Sequence, residues 1–329
     1  MPYFDSFHRP ISYLRVSVTD RCNLRCVYCM PEEGITPIPH PDILRYEELV
    51  RIVRVAVGMG INHIRLTGGE PLVRKGIVEL VAALAAIPGL DDLSMTTNGI
   101  LLARYADALA QAGLRRVNIS LDTLDPERFQ RITRLGSLAK LLEGREAALR
   151  AGLRPVKLNT VVIRGLNDDE VVELARLTLQ PDWHLRFIEV MPLGSGTHWA
   201  GDGVVPSSEI RARITAALGE LTPVHGKTGI GPARYYRLPN AAGTLGFISA
   251  ISEHFCAACN RLRLTSDGQI LPCLMSNLSV DLKTPLRAGA DDAALQQVFE
   301  EAIRVKPREH HLAEGILPVG IRPMSGIGG

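Results

Sequence analysis

The sequence has no long hydrophobic run, few aromatic residues and no excess of charge of one sign. No stretch of about 18 consecutive apolar residues occurs, so we expect no membrane-spanning helix. The 37 basic residues nearly balance the 35 acidic ones, and the net charge of +2 indicates no whole-chain affinity for nucleic acid or membranes. With 46% hydrophobic and 22% charged residues, the 329-residue chain has the composition of one large folded domain or two.

The N-terminal segment also lacks the features of a secretory signal. The first residues, MPYFDSFHRPISYLRVSV, include an early acid and a proline and contain no apolar core of the required length. We therefore expect a reducing cytoplasm, where cysteines serve as metal ligands or catalytic groups more readily than as disulfides. The arrangement of the six cysteines is accordingly the most informative feature of the chain.

Runs rich in β-forming residues alternate with helical patterns across the first 190 residues. The predicted strands are Tyr13–Val18, Asn62–Thr67, Leu93–Thr97, Arg116–Leu121, Val156–Ile163 and His184–Val190. The helices predicted between them include Tyr46–Val57, Leu102–Ala112, Leu138–Ala151 and Asp168–Thr178. This alternation predicts an α/β fold with a parallel sheet, arranged either as a doubly wound open sheet or as a barrel. Because a complete barrel has about eight such units, six units favour a partial (βα)6 barrel of the TIM type.

The pattern changes beyond residue 220. Ala233–Leu238, Thr244–Ile251 and Leu262–Thr265 are predicted as short antiparallel strands, and Asp292–Val305 carries the apolar stripe of a helix. We therefore predict two domains. Residues 1–230 would form the partial barrel, and residues 231–329 would form a C-terminal region of short antiparallel strands and helices.

The first cysteine cluster lies in the loop after the first predicted strand. Cys22, Cys26 and Cys29 are spaced C-x3-C-x2-C. A structural zinc site normally has four protein ligands, and an iron–sulfur cube also takes four. Three cysteines would leave one iron of a cube open to an outside ligand such as a substrate. A cube of this kind is the favoured interpretation, and structural zinc is the alternative.

The second cysteine cluster also has three members. Cys256 and Cys259 form C-x2-C, and Cys273 follows after 13 intervening residues. His254 could complete a zinc site, which is the alternative to a second cube with an open iron. Between these cysteines, Arg261 and Arg263 would point to the same face of a strand. Their planar, permanently charged guanidinium groups suit phosphate oxygens.

Further cations lie within otherwise apolar strand segments, namely Arg15, Arg65, Lys157 and Arg186. Barrel strands are buried on both faces, so each cation needs an anionic partner. Salt bridges within the protein are one possibility. The other is a pocket that gathers these side chains around a polyanion such as a triphosphate.

The C-x3-C-x2-C spacing, with Tyr28 before the last cysteine, resembles the radical S-adenosylmethionine family. The strand ends TGGEP, TTNG, SLD and MP are similar to that family as well. The resemblance implies that Cys22, Cys26 and Cys29 hold a [4Fe–4S] cluster whose open iron takes S-adenosylmethionine. It implies S-adenosylmethionine contacts at Tyr28, Gly69, Ser120 and Met191.

The segments FCAACNRLRLTSDGQILPCL, IRLTGGEPLVRKG and KLNTVVIRGLND resemble one branch of this family, the enzymes that cyclise GTP at the start of molybdenum cofactor biosynthesis. That resemblance implies a second [4Fe–4S] cluster on Cys256, Cys259 and Cys273, facing the guanine. It implies GTP contacts at Arg15, Arg65, Thr96, Lys157, Arg261, Leu262 and Arg263. In the implied reaction, hydrogen leaves ribose C3′ and C3′ then attacks guanine C8.

The same resemblance implies a homodimer, an external electron donor and a downstream enzyme that forms a cyclic pyranopterin. It also implies that Gly328 and Gly329 enter the active site, with a disordered tail as the alternative. His310 and His311 receive no role. The alternative function is a peptide-modifying radical enzyme with an auxiliary cluster, although such enzymes generally carry more than three C-terminal cysteines.

Metal content separates the cluster interpretation from zinc. Two cubes require about eight irons and eight sulfides per chain, and we expect that content in anaerobically purified protein. Elemental and sulfide analysis would measure it. One or two zincs per chain without sulfide would contradict the cluster interpretation.

Overall fold

The computed structural model describes residues 3–193, 198–199, 201–224, 230–310 and 324–327. Its strands are β1 (Tyr3–Phe4), β2 (Pro10–Ile11), β3 (Tyr13–Ser17), β4 (His63–Thr67), β5 (Asp92–Thr97), β6 (Arg116–Ser120), β7 (Lys157–Val162), β8 (His184–Glu189), β9 (Thr222–Pro223), β10 (Arg234–Arg237), β11 (Thr244–Ile248), β12 (Arg261–Leu264), β13 (Gln269–Leu271) and β14 (Val280–Asp281). Its helices are α1 (Tyr46–Gly58), α2 (Ile77–Ala85), α3 (Leu102–Gln111), α4 (Pro126–Thr133), α5 (Leu138–Arg150), α6 (Val171–Arg176), α7 (Ser207–Leu218), α8 (Lys283–Arg287), α9 (Asp292–Arg304) and α10 (Met324–Ile327). Among these helices, none has the length and hydropathy needed to cross a bilayer.

Within the described residues, a 12-stranded sheet forms the centre of the molecule, in the order β14-β13-β12-β3-β4-β5-β6-β7-β8-β11-β10-β9. All neighbours from β12 through β3 to β8 and β11 are parallel, whereas the outer pairs at both edges are antiparallel. Side chains from β3, β7 and β8 line one shared cavity, so the sheet curves around it. The predicted α/β fold with a partial (βα)6 barrel is confirmed.

The six predicted barrel strands match β3 to β8 to within one residue at each end. The predicted helix Asp168–Thr178 is shorter, because only Val171–Arg176 is α-helical and a 3-10 turn lies on each side. The Glu170 carboxylate accepts hydrogen bonds from Thr123 Oγ1 and Leu124 N, which holds the first of these turns against the β6 loop.

The C-terminal strands form parallel pairs in addition to the antiparallel ones that the sequence pattern predicts. As predicted, β11 has an antiparallel neighbour in β10, and β12 has one in β13. Each also pairs in parallel with a barrel strand, β11 with β8 and β12 with β3. The C-terminal region thereby extends both edges of the barrel sheet, and the run of parallel neighbours is longer than the six predicted units.

Alternation along the parallel strands separates the core from the cavity. In β3, Leu14 and Val16 are fully buried on the helix-covered face, whereas Arg15 lines the cavity. In α1, which matches the predicted helix, the apolar stripe that includes Leu49 and Ile52 is fully buried in the core. Burial of these apolar stripes holds the helices on the sheet and leaves its inner face for polar side chains.

The carboxylate of Glu189, at the end of β8, joins the barrel to the C-terminal region. This fully buried side chain accepts hydrogen bonds from Ser207 N at 2.9 Å, Ile251 N at 2.8 Å and Ser252 N at 2.9 Å. Ser252 Oγ also donates to it. One side chain thus fixes the start of α7 and the loop after β11.

Glu189→Ala should destabilise the fold by about 2–4 kcal/mol, because each buried donor left without a partner costs about 1–3 kcal/mol. The exposed Glu301, which pairs with Arg304 on α9, provides a matched control. Glu301→Ala should leave the stability close to that of the wild type, because exposed ion pairs contribute little. Chemical unfolding of both variants would measure the difference, and equal effects would contradict the role of Glu189.

Candidate active site

A large cavity lies on the inner face of the curved sheet and reaches the carboxyl ends of the parallel strands, beside the loop that follows β3. Its wall includes the cysteines Cys22, Cys26 and Cys29. Deeper in the barrel, the wall consists largely of basic and polar side chains from β3 to β8, β10 and β12. The carboxyl end of the strands is where active sites of barrel enzymes lie.

The cysteine loop is held in place by the Gly-Gly-Glu segment after β4. Gly69 N donates to Thr19 O at 2.7 Å, and Glu70 N donates to Arg21 O at 2.9 Å. A Cβ atom at Gly69 would lie 2.4 Å from Arg21 O, so only glycine permits this approach. The packing of the cysteine loop is therefore one reason for glycine here, in addition to the predicted ligand contact.

The first three cysteines form a donor set that fits an iron–sulfur cluster. None of the six cysteines is in a disulfide. Burial raises the pKa of Cys22 to about 11 and raises that of Cys26 well above its usual value. Metal ligation requires thiolates, so this site needs the positive charge of a metal centre to ionise its thiols. The backbone N of Leu24 already donates to Cys22 Sγ at 3.4 Å.

The described residues contain no group of three or more His, Cys, Asp or Glu side chains arranged around a common point to hold a single metal ion. A cube spreads its ligands over several irons, so three thiolates around it need not converge in that way. The cluster assignment therefore depends on the donor chemistry and spacing of the cysteines.

The residues predicted to bind S-adenosylmethionine all line the cavity, namely Tyr28, Gly69, Ser120 and Met191. Tyr28 is oriented by Asp122, because its Oη donates to Asp122 Oδ2 at 2.6 Å and Val161 N donates to Asp122 Oδ1 at 2.9 Å. Burial raises the pKa of Asp122 to about 6. Asp122 is not among the site residues predicted from the sequence. Its position just after the end of a predicted strand is the signal that could have identified it.

Arginines on neighbouring strands occupy one register row. Arg263 of β12 aligns with Arg15 of β3, and Arg15 aligns with Arg65 of β4. Neighbouring strands are about 4.8 Å apart, so three like charges lie side by side on the cavity wall. Burial and the neighbouring cations lower the pKa of Arg263 to about 10 and also lower that of Arg15. An anion bound against this row would reduce the repulsion among the three cations.

Two more cations line the same cavity from β7 and β8. Lys157 is 4% exposed and Arg186 is 6% exposed. Arg186 Nε and Nη2 have no hydrogen-bond partner among the described residues. Arg116 differs, because Asp92 pairs with its guanidinium at 3.0 and 2.6 Å. Buried donors without partners indicate a ligand position.

Arg186 was recognised in the sequence as a cation on an apolar strand, but it was not placed among the site residues. Among the predicted site residues, Thr96 and Arg261 line the cavity, and each has a buried polar atom without a partner in the described part of the chain, Oγ1 and Nε respectively. Leu262 lies on the opposite face of β12 and is fully buried in the core. Any contact between Leu262 and a ligand would therefore involve its backbone.

The second set of cysteines lies beside the cavity. Cys256, Cys259 and Cys273 are not part of its wall, but their neighbours Phe255 and Leu274 are. Burial opposes ionisation of Cys259, yet the nearby charges of Lys306 and Arg261 lower its pKa to about 7.

Two buried cations hold the surrounding loops of this second set. Lys306 Nζ donates to Arg261 O at 2.9 Å and to Pro272 O at 2.5 Å. Arg9, paired with Asp5, donates to Cys256 O at 2.8 Å. The donor set and the fixed loops fit a second metal cluster.

The C-terminal predictions are only partly within the described residues. Gly328, Gly329 and His311 lie outside them. His310 is described, and its ring centroid lies 5.5 Å from that of His254. Met324 of α10 lines the cavity, so the chain just before the two terminal glycines contacts the site.

Family models match both parts of the chain. The model described as the radical SAM superfamily matches residues 16–178, and the model described as Molybdenum Cofactor Synthesis C matches residues 183–312.

Relatives match along nearly the full length. A GTP 3′,8-cyclase of Pelotomaculum thermopropionicum is 56% identical over 99% of this chain and 99% of the relative. A GTP 3′,8-cyclase of Heliobacterium modesticaldum is 53% identical with the same coverage of 99% of each chain. The crystal structure of Streptococcus suis SuiB bound to S-adenosylmethionine has a TM-score of 0.58 at 16% identity, covering 88% of this chain and 67% of that one. This structural likeness shows a shared fold alone.

The basic wall predicts binding of an inorganic polyanion. Tripolyphosphate at 100 times its Kd should stabilise the protein by about 2.7 kcal/mol, measured as a rise in Tm. Arg186→Met should weaken that binding about tenfold without lowering the Tm of the free protein, since two of its buried donors have no partner among the residues that the structure describes. The exposed Arg237 on β10 offers the control Arg237→Met, which should bind as the wild type does. Equal affinity of the two variants would contradict the prediction.

Proposed function

Since the chain belongs to the radical SAM superfamily and, within it, to the GTP 3′,8-cyclases, we propose that the cavity binds S-adenosylmethionine and GTP together and is the site of cyclisation. The superfamily uses S-adenosylmethionine with a [4Fe–4S] cluster, and the reaction begins molybdenum cofactor biosynthesis. The observation that carries the proposal is the row of Arg263, Arg15 and Arg65 on adjacent parallel strands, in a cavity that is also lined by Cys22, Cys26 and Cys29.

The basic wall is proposed to bind the triphosphate. Arg15, Arg65 and Arg263 would contact phosphate oxygens, and Lys157 and Arg261 would extend this cationic surface on either side. Thr96, whose buried Oγ1 has no partner among the described residues, is proposed to donate to the nucleotide. Leu262 would contribute through its backbone, because its side chain faces the core.

The carboxyl ends of the strands are proposed to bind S-adenosylmethionine. Cys22, Cys26 and Cys29 would hold the first cluster. Together with S-adenosylmethionine, that cluster would supply radical chemistry directed at the hydrogen on ribose C3′. The contacts at Tyr28, Gly69, Ser120 and Met191 would fix the position of the cofactor. Orientation is the contribution of the protein, because so reactive a radical is selective only when its target C–H is held within reach.

A second [4Fe–4S] cluster on Cys256, Cys259 and Cys273 is part of the proposal. The buried cations Lys306 and Arg9, which hold the loops around these cysteines, support it. With the guanine near this cluster and the triphosphate on the arginine row, the ribose would be fixed from both ends. That arrangement would limit hydrogen abstraction to one position and keep C3′ near C8.

The remaining proposals follow from the resemblance. They are a homodimer, an external electron donor, a downstream cyclic pyranopterin-forming enzyme and entry of the Gly328–Gly329 tail into the site. Six cysteines without disulfides support a reducing, cytoplasmic location. We propose the division between residues 1–230 and 231–329 as one of function. It does not separate two sheets, because β11 and β12 both pair with barrel strands.

The function is tested by incubating the anaerobic, reduced holoprotein with S-adenosylmethionine and GTP. We expect 5′-deoxyadenosine and a cyclised GTP product, both dependent on GTP. Lys157→Ala should weaken GTP binding by tenfold or more while the iron content stays at the wild-type level. Absence of GTP-dependent 5′-deoxyadenosine would contradict the function, and loss of iron from Lys157→Ala would contradict the role of Lys157.

A further inference from the structure

Tyr235 reaches the cavity from a strand outside the predicted barrel. It lies on β10, which pairs with β11 rather than with any of the six barrel strands. One register row runs across the sheet from Asn159 on β7 to Arg186 on β8, Gly246 on β11 and Tyr235 on β10. Every member of this row except Gly246 lines the cavity.

Gly246 explains how a side chain so far along the sheet reaches the basic wall. A Cβ atom at this position would lie 2.7 Å from Arg186 Cγ and 3.1 Å from Tyr235 Cε1. The Arg186 side chain and the Tyr235 ring therefore converge over the glycine from opposite sides. With any larger residue at position 246, the two side chains would have to move apart.

The phenolic oxygen of Tyr235 already accepts one hydrogen bond. Lys157 Nζ donates to Tyr235 Oη at 3.0 Å, and the ammonium lies 4.9 Å from the centroid of the ring. An ammonium only donates, so the phenolic O–H must direct its own proton elsewhere. The O–H lies beside Lys157 and Arg186, two cations that line the cavity.

A neutral donor among cations suits an anionic oxygen. Phosphate oxygens accept several hydrogen bonds each, and a phenol can donate to one without adding to the repulsion within a crowded set of positive charges. The neighbouring charges of Arg186 and Lys157 outweigh burial and lower the pKa of Tyr235, which strengthens it as a donor.

We propose that Tyr235 is a substrate-positioning residue that donates a hydrogen bond to the triphosphate of GTP, and that Gly246 provides the space that places it beside Arg186 and Lys157. The proposal rests on the proposed function for the identity of the nucleotide. The Tyr235 contact comes from β10, whereas the other proposed GTP contacts come from the barrel strands and β12. The triphosphate would therefore be bound by one more strand of the sheet.

The test compares Tyr235→Phe with Tyr236→Phe in the anaerobic holoprotein. The two substitutions remove the same atom from neighbouring residues, but Tyr236 faces away from the cavity and packs against Phe247 with ring centroids 5.6 Å apart. Affinities are measured for GTP, inorganic tripolyphosphate and guanosine. We expect Tyr235→Phe to weaken GTP and tripolyphosphate binding about tenfold, the loss typical of a hydrogen bond to a charged group. Guanosine binding and iron content should not change, and Tyr236→Phe should match the wild type.

Each result decides the proposal. Unchanged affinities of Tyr235→Phe for GTP and tripolyphosphate would overturn it. An equal loss for all three ligands would also overturn it, because the residue would then maintain the shape of the pocket. If the wild type binds tripolyphosphate but not GTP, the proposed function fails, while the effect of Tyr235→Phe on tripolyphosphate still tests the hydrogen bond.

Gly246→Ala tests the spacing directly. The added methyl group should displace both Arg186 and Tyr235, so tripolyphosphate binding should fall by more than in Tyr235→Phe. Gly58→Ala on α1 is the matched control, because Gly58 does not line the cavity and a Cβ there meets no described atom within 4 Å. Wild-type affinity in a folded, iron-loaded Gly246→Ala variant would overturn the role of the glycine.

Discussion

The repulsion among buried cations on the inner face of the sheet is the constraint on which the site depends. Arg263, Arg15 and Arg65 are held at strand spacing by backbone hydrogen bonds, and the apolar residues between them are packed into the core. The three arginines cannot move apart unless the pairing register of their strands is lost. The fold therefore keeps a charge arrangement that an anion relieves, and the energy of core packing maintains a preorganised binding surface.

The C-terminal region is part of the same structural unit as the barrel. Because β11 and β12 pair with β8 and β3, the second cysteine set has a fixed position relative to the first. Glu189 and Arg9 add buried polar links between the two regions. A reaction that requires two ligands at a defined separation needs this rigidity, since small displacements of reacting atoms reduce rates steeply.

Two glycines determine how closely parts of the chain approach. Gly69 allows the backbone of Arg21 to lie against the end of β4, which fixes the cysteine loop. Gly246 allows two polar side chains to converge on one point of the cavity wall. In both cases the missing side chain serves to place other groups, a role that composition and motif spacing do not reveal.

Local sequence was sufficient for the elements and for most of the site. Hydrophobic periodicity located β3 to β8, and cysteine spacing with the strand-end motifs indicated the family, because these signals depend on residues close together in the chain. The parallel pairing of β11 and β12, the inward approach of Tyr235 and the burial of the Leu262 side chain in the core were decided by the tertiary structure. Strand pairing joins residues more than 200 positions apart, such as Arg15 and Arg263, and no local pattern specifies which strands become neighbours.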